Sequence, residues 1–199
     1  MIKRNPSFEL QKHLSSNWAN DDAFLTAVFN ALSISFPIGE KFFMNSVRAF
    51  KDEVNKEMSE EIRMFCIQEA THTREHIKYN KLLCELKGYD LEELESVFVK
   101  KLEKSHTDKV DNKIRLAITT AMEHITASMG VSMLKGNLVK SDNPVADMWK
   151  WHSLEEVEHK SVAYDVYKAV NGSDKVMRIV MKLALIDMIH ANTKVAIKM

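Results

Sequence analysis

Gln68-Glu69-Ala70-Thr71-His72-Thr73-Arg74-Glu75-His76 and Trp151-His152-Ser153-Leu154-Glu155-Glu156-Val157-Glu158-His159 decide how this chain folds. Each stretch holds a Glu-x-x-His pair and one further histidine. At about 100° of rotation per residue, Glu69, His72 and His76 fall within roughly 60° of one another on a helix, as do His152, Glu156 and His159. Each segment therefore aims carboxylate and imidazole in one direction. A Glu-x-x-His pair from each of two helices, with a lone Glu from each of two others, is the ligand plan of a carboxylate bundle holding two metal ions.

Glu40 and Glu123 are placed to complete that plan. Glu40 lies amid Phe36, Phe43, Met44 and Val47, and Glu123 amid Ile118, Ala121, Met122, Ile125 and Ala127. A carboxylate on an apolar face is costly to bury unless it is paired or coordinated. Glu40 and Glu69 are 29 residues apart, and Glu123 and Glu156 are 33 apart. Mid-helix residues of antiparallel neighbours joined by a short loop lie at about that separation.

The expected fold is all-α: a ferritin-like four-helix bundle with extra N-terminal, crossover and C-terminal helices, in one domain over residues 1–199. The bundle helices are expected at about 36–55, 59–87, 108–134 and 144–171. Ser35 with Pro37 starts the first, Gly88 stops the second, Thr107 or Asp108 starts the third and Asn143-Pro144 the fourth. Accessory helices are expected at about 21–32, capped by Asn20 or Asp21, 90–105, capped by Asp90, and 174–198, capped by Ser173.

Lys+Arg and Asp+Glu balance at 28 each, which offers no electrostatic grip on nucleic acid. Cys66 and Cys84 sit on one expected helix about 27 Å apart, too far to bridge, which fits a reducing, cytoplasmic setting. The first residues lack an apolar run of signal-peptide length, and no stretch approaches 18 uncharged apolar residues, so neither a leader nor a membrane span is expected. The C-terminal segment is apolar but interrupted by Arg178, Lys182 and Asp187. Such a helix suits packing on the bundle, a homodimer contact, or peripheral contact with a membrane.

The pattern Glu40, Glu69-x-x-His72, Glu123, His152-x-x-x-Glu156-x-x-His159 resembles the seven-ligand site of p-aminobenzoate N-oxygenase-like di-iron proteins. Phe36-Pro37-Ile38-Gly39-Glu40 and the two histidine-rich stretches resemble more closely the family of predicted metal-dependent hydrolases, over roughly residues 20 to 190. The resemblance implies seven metal ligands: Glu40, Glu69, His72, Glu123, His152, Glu156 and His159. By position, Glu40, Glu69 and His72 would serve one ion and Glu123, His152, Glu156 and His159 the other, with glutamates bridging. His76 is a candidate eighth ligand, outer donor or pocket residue. Glu155 is a candidate partner for a ligating imidazole, and Asn80 and Arg48 for the carboxylates. Glu75, Glu155 and Tyr79 are the catalytic candidates, while His124 points away from Glu123.

Mixed carboxylate–imidazole ligation suits two ions of iron, with manganese or zinc as alternatives. The leading expectation is an O2-dependent oxidase or oxygenase acting on a small, apolar organic substrate. Phe43, Met44, Phe65, Met122 and Ile125 would line it. The alternative is metal-dependent hydrolysis at the same site. His72-Thr73-Arg74-Glu75-His76 also reads as the inverted zinc-protease motif, with Glu75 activating water. A third expectation is a bundle that binds metal without catalysis.

Overall fold

Short polar side chains begin the helices by accepting hydrogen bonds from otherwise orphaned first-turn amides. Asp22 accepts from Leu25, Asn55 from Met58, Asp111 from Lys113, and Asn143 from Val145 and Ala146. The computed structural model describes residues 1–105 and 110–199, and every regular element among them is a helix. They are α1 (Gln11–Leu14), α2 (Ala23–Arg48), α3 (Lys56–Lys87), α4 (Leu91–Ser105), α5 (Asn112–Leu134), α6 (Pro144–His159), α7 (Val162–Ala169) and α8 (Asp174–Ala196). The chain is all-α, and its pairing of long helices is compatible with a ferritin-like bundle. The start expected at Thr107 or Asp108 lies outside the described residues; Asp111 caps the helix that follows.

α2 packs on α3, and α5 on α6 and α7, while α8 closes over α2 and α5. A Cβ on Gly130 would lie 2.9 Å from the Ser153 carbonyl oxygen, so glycine is what lets α5 approach α6 so closely. One apolar cluster gathers Phe42, Phe65, Leu116 and Val166; a second gathers Phe29, Leu83, Met133 and Trp149. Along every bundle helix the predicted ligands fall between these two clusters. On α2, for instance, Glu40 lies between Phe29 and Phe42. The result is a polar belt capped by apolar side chains at both ends.

The helices expected at 21–32 and 36–55 are one continuous helix, which ends at Arg48. Pro37 sits in its interior, where a missing N–H and a ring clash ordinarily cost about 3 kcal/mol. Tertiary structure offsets the loss. The carbonyl that Pro37 leaves without its usual donor belongs to Ser33, and it accepts a hydrogen bond from Asn80 Nδ2 at 2.9 Å. The helix expected at 144–171 is two, interrupted at Lys160-Ser161 immediately after His159. Both residues keep right-handed helical dihedrals, so α7 continues α6 without an intervening loop. By length and composition α2 would pass for a membrane span, with a hydropathy of 1.3. Its packing and the carboxylate of Glu40 make it a core helix here.

Asn80→Ala removes the donor that replaces the missing backbone bond, orphans the buried Ser33 carbonyl and takes the acceptor from the Ser33 hydroxyl proton. A loss of about 2–3 kcal/mol is expected in urea denaturation. Adding Pro37→Ala restores an amide donor to the Ser33 carbonyl, so the double variant should be more stable than Asn80→Ala alone.

Candidate metal centre

Eight side chains from four helices meet in the belt: Glu40 from α2; Glu69, His72 and His76 from α3; Glu123 from α5; and His152, Glu156 and His159 from α6. None is more than 3% exposed. His72 Nδ1 lies 3.6 Å from Glu69 and 3.5 Å from Glu156. His159 Nε2 lies 3.1 Å from Glu69 and 3.3 Å from Glu123, and His152 Nε2 lies 3.1 Å from Glu156. Donor atoms of Glu40–Glu69–His72, of His72–His152–Glu156 and of Glu69–Glu156–His159 each fall within 4.8 Å of one another. Glu69 joins the trios of His72 and of His159, and so does Glu156. These two carboxylates are the ones shared between the His72 and His159 sides.

Both carboxylate oxygens of Glu69 and of Glu123, one each of Glu40 and Glu156, His72 Nδ1 and His159 Nε2 are buried without a hydrogen-bond partner. Proteins rarely leave such atoms unsatisfied. A neutral ring cannot satisfy them, because its single N–H is engaged on the other side. His72 Nε2 is 3.0 Å from Glu155 Oε2, and His159 Nδ1 is 3.2 Å from Gln68 Oε1. In its neutral form each imidazole donates outward and its inner nitrogen turns a lone pair toward carboxylate lone pairs. That arrangement suits cations between them. The residues present fit bound metal.

His152 is fixed by a longer relay. Its Nδ1 is 2.9 Å from His76 Nε2, and His76 Nδ1 is 2.8 Å from Ser33 Oγ. Ser33 Oγ donates to Asn80 Oδ1 at 2.6 Å, so it accepts from His76, and His76 in turn accepts from His152. His152 Nε2 is thereby left facing Glu156. Of the roles open to His76, this relay gives it that of orienting His152; it also lies in a trio with Glu40 and His152. Thr73 Oγ1 donates to Glu40 Oε2 at 2.8 Å, and Phe36 stacks on the His152 ring at 4.7 Å.

Four sequence expectations change. His152 lies on the Glu40–His72 side, its ring stacked 4.1 Å from that of His72, and not with Glu123 and His159. The inverted zinc-protease reading is not assembled, since Glu75 is tied to Arg74 at 2.7 Å and Lys78 at 2.9 Å. Among the described residues no metal-capable trio contains both His72 and His76. Tyr79, a catalytic candidate, stands in the apolar cluster around Trp149 with its hydroxyl donating to Asn30 at 2.6 Å. Arg48 stands beside the Cys66 thiol, away from the belt. The sequence reading missed Gln68 and Glu158 despite their place in the motifs, and it missed Arg4. Arg4 pairs with Glu155 at 3.0 Å and with Glu158 at 2.6 Å, and Glu158 accepts from Gln68 at 2.9 Å. One guanidinium thus stands behind the partners of both His72 and His159.

Burial pushes the Glu123 carboxyl up to about 8, with the charge of Glu156 adding to it. Burial also raises Glu40, helped by Glu69. For His159, burial works downward but is outweighed by Glu123, Glu156 and Glu69, and the ring stays well above its ordinary value. His72 is held up in the same way by Glu155, Glu156 and Glu69. Burial and the neighbouring His152 hold His76 well below the usual range. The belt demands positive charge, which protons supply when cations do not.

A family model described as predicted metal-dependent hydrolase matches residues 2–199. No curated protein and no solved structure matches the chain.

Cations entering the belt displace protons from His72, His159 and Glu123. Apparent metal affinity should therefore climb as pH rises through about 8, with proton release visible by calorimetry in buffers of differing ionisation heat. Glu155→Gln, which weakens the outer hold on His72, should lower affinity about tenfold against a competing chelator.

Proposed function

The chain belongs to the family of predicted metal-dependent hydrolases, and from that membership and the donor geometry we propose that it hydrolyses an ester-type bond at a centre of two divalent ions. The observation that carries this reading is the convergence of orphaned carboxylate and imidazole atoms from four helices. Glu40, His72 and His152 would hold one ion, Glu123 and His159 the other, with Glu69 and Glu156 shared. Bound there, the pair would supply Lewis acidity toward the scissile group and a water of lowered pKa. The chain's own contribution is preorganisation. Glu155, Gln68 and His76 fix the imidazoles from behind, and the two apolar clusters keep bulk water out of the belt, where charge acts more strongly. The buried free thiols Cys66 and Cys84 suit the cytoplasm.

The aromatic enclosure favours a second reading, in which two iron ions serve O2-dependent oxidation of a small organic molecule. Phe36 covers His152, and Phe65 meets the His159 ring edge-on at 5.0 Å. Such walls protect reactive chemistry from water. Metal-free protein loaded with zinc, manganese or, anaerobically, iron separates the two. Hydrolysis predicts turnover of p-nitrophenyl acetate without O2, falling at least about 100-fold in Glu156→Ala, where a shared ligand is gone. Iron-dependent O2 uptake with no ester turnover would replace it with oxidation, and tight metal binding with neither activity would leave a non-catalytic bundle.

A further inference from the structure

Beside the belt, α2, α4, α5 and α8 line a cavity of about 350 Å³, at the lower end of the roughly 300–1,000 Å³ typical of small-molecule sites. It shares walls with the metal centre. Phe36 lines it while stacking on His152, and Met122, the residue before Glu123 on α5, lines it too. Leu183, 61% exposed, stands at its rim, so the cavity opens along α8.

Two features show that this space is kept open and is selective. Gly39 lies in the middle of α2, where glycine costs up to about 1 kcal/mol relative to alanine. A Cβ there would meet only the Phe43 ring at 3.6 Å, an ordinary contact. Packing does not demand glycine; what its bare Cα leaves is room. Asn192 is 9% exposed and lines the cavity, with Nδ2 donating to the Met188 carbonyl at 2.9 Å and Oδ1 without a partner. A buried acceptor left so is costly unless a donor meets it. Among the described residues the polar wall side chains Ser35, Thr126, Asp187 and Asn192 include no cation, so they offer an anion no counter-charge.

We propose that this cavity seats the apolar part of a neutral substrate, an aliphatic or aromatic group bearing one hydroxyl or N–H donor for Asn192, with its scissile bond directed past Phe36 to the belt. The assignment of that part to a substrate rests on the hydrolytic reading; the binding site itself stands on the cavity alone.

The test uses hexan-1-ol and 1-chlorohexane, titrated calorimetrically into metal-free protein, and p-nitrophenyl acetate and hexanoate as esters for the zinc-loaded protein. Saturable binding of hexan-1-ol is expected, weakened at least about tenfold by Gly39→Leu, which fills the cavity. Asn192→Leu should weaken hexan-1-ol but not 1-chlorohexane. Gly39→Ala, which the helix favours, keeps the test valid should the larger side chain disturb folding; circular dichroism and metal content check this. The wild type should prefer hexanoate through KM, and Gly39→Leu should abolish that preference. Hexan-1-ol binding that is unsaturable, or indifferent to both substitutions, overturns the proposal. Specific binding without turnover of either ester removes hydrolysis and leaves the cavity assignment standing. Turnover of both esters alike, untouched by Gly39→Leu, does the reverse.

Discussion

Four carboxylates cannot share a dry space with inward-facing imidazole lone pairs unless positive charge lies between them. Much of the architecture follows from that constraint. Desolvating a carboxylate is costly enough that the group ordinarily neutralises or finds a counter-charge. Here the desolvation is enforced from both ends by the clusters around Phe42 and Phe29. The four bundle helices must keep Glu40, Glu69, Glu123 and Glu156 at one level, because a slip of one turn would carry a glutamate into an apolar cluster. Register and charge thus constrain each other, and the close approach of α5 to α6 at Gly130 helps hold that register.

The outer residues act on the direction of each ring rather than on its charge alone. Glu155 takes the outward nitrogen of His72, Gln68 that of His159 and His76 that of His152. Two of these three supports converge on Arg4, which belongs to the segment preceding α1. That segment thereby contributes to the orientation of ligands it never touches, and its guanidinium is held in turn by two carboxylates.

Most of the inner set was legible in the sequence because it obeys helical periodicity. Glu-x-x-His fixes a common face, and the apolar flanks of Glu40 and Glu123 mark residues that must be buried with partners. The family resemblance and the fold class followed from the same positions. Periodicity says which way a side chain points along its own helix, not which neighbour stands opposite, and His152 was accordingly assigned to the wrong side. Pro37 misled because the local rule for proline assumes an unpaired carbonyl, whereas the amide that answers it comes from a residue 47 positions away. Arg4 is 151 residues from Glu155, and nothing in its surroundings marks so distant a pairing.

The defect in α2 has a consequence for how the His152 ring is held. An ordinary helix offers no spare backbone acceptor at its centre, so the proline acts as a socket for Asn80. That amide also receives the hydroxyl proton which sets the relay to His152. A continuous chain of hydrogen bonds therefore joins the proline site of α2 to the His152 ring. A change in the curvature of one helix would reach the His152 ring through Asn80, Ser33 and His76, without any direct contact between Pro37 and that ring.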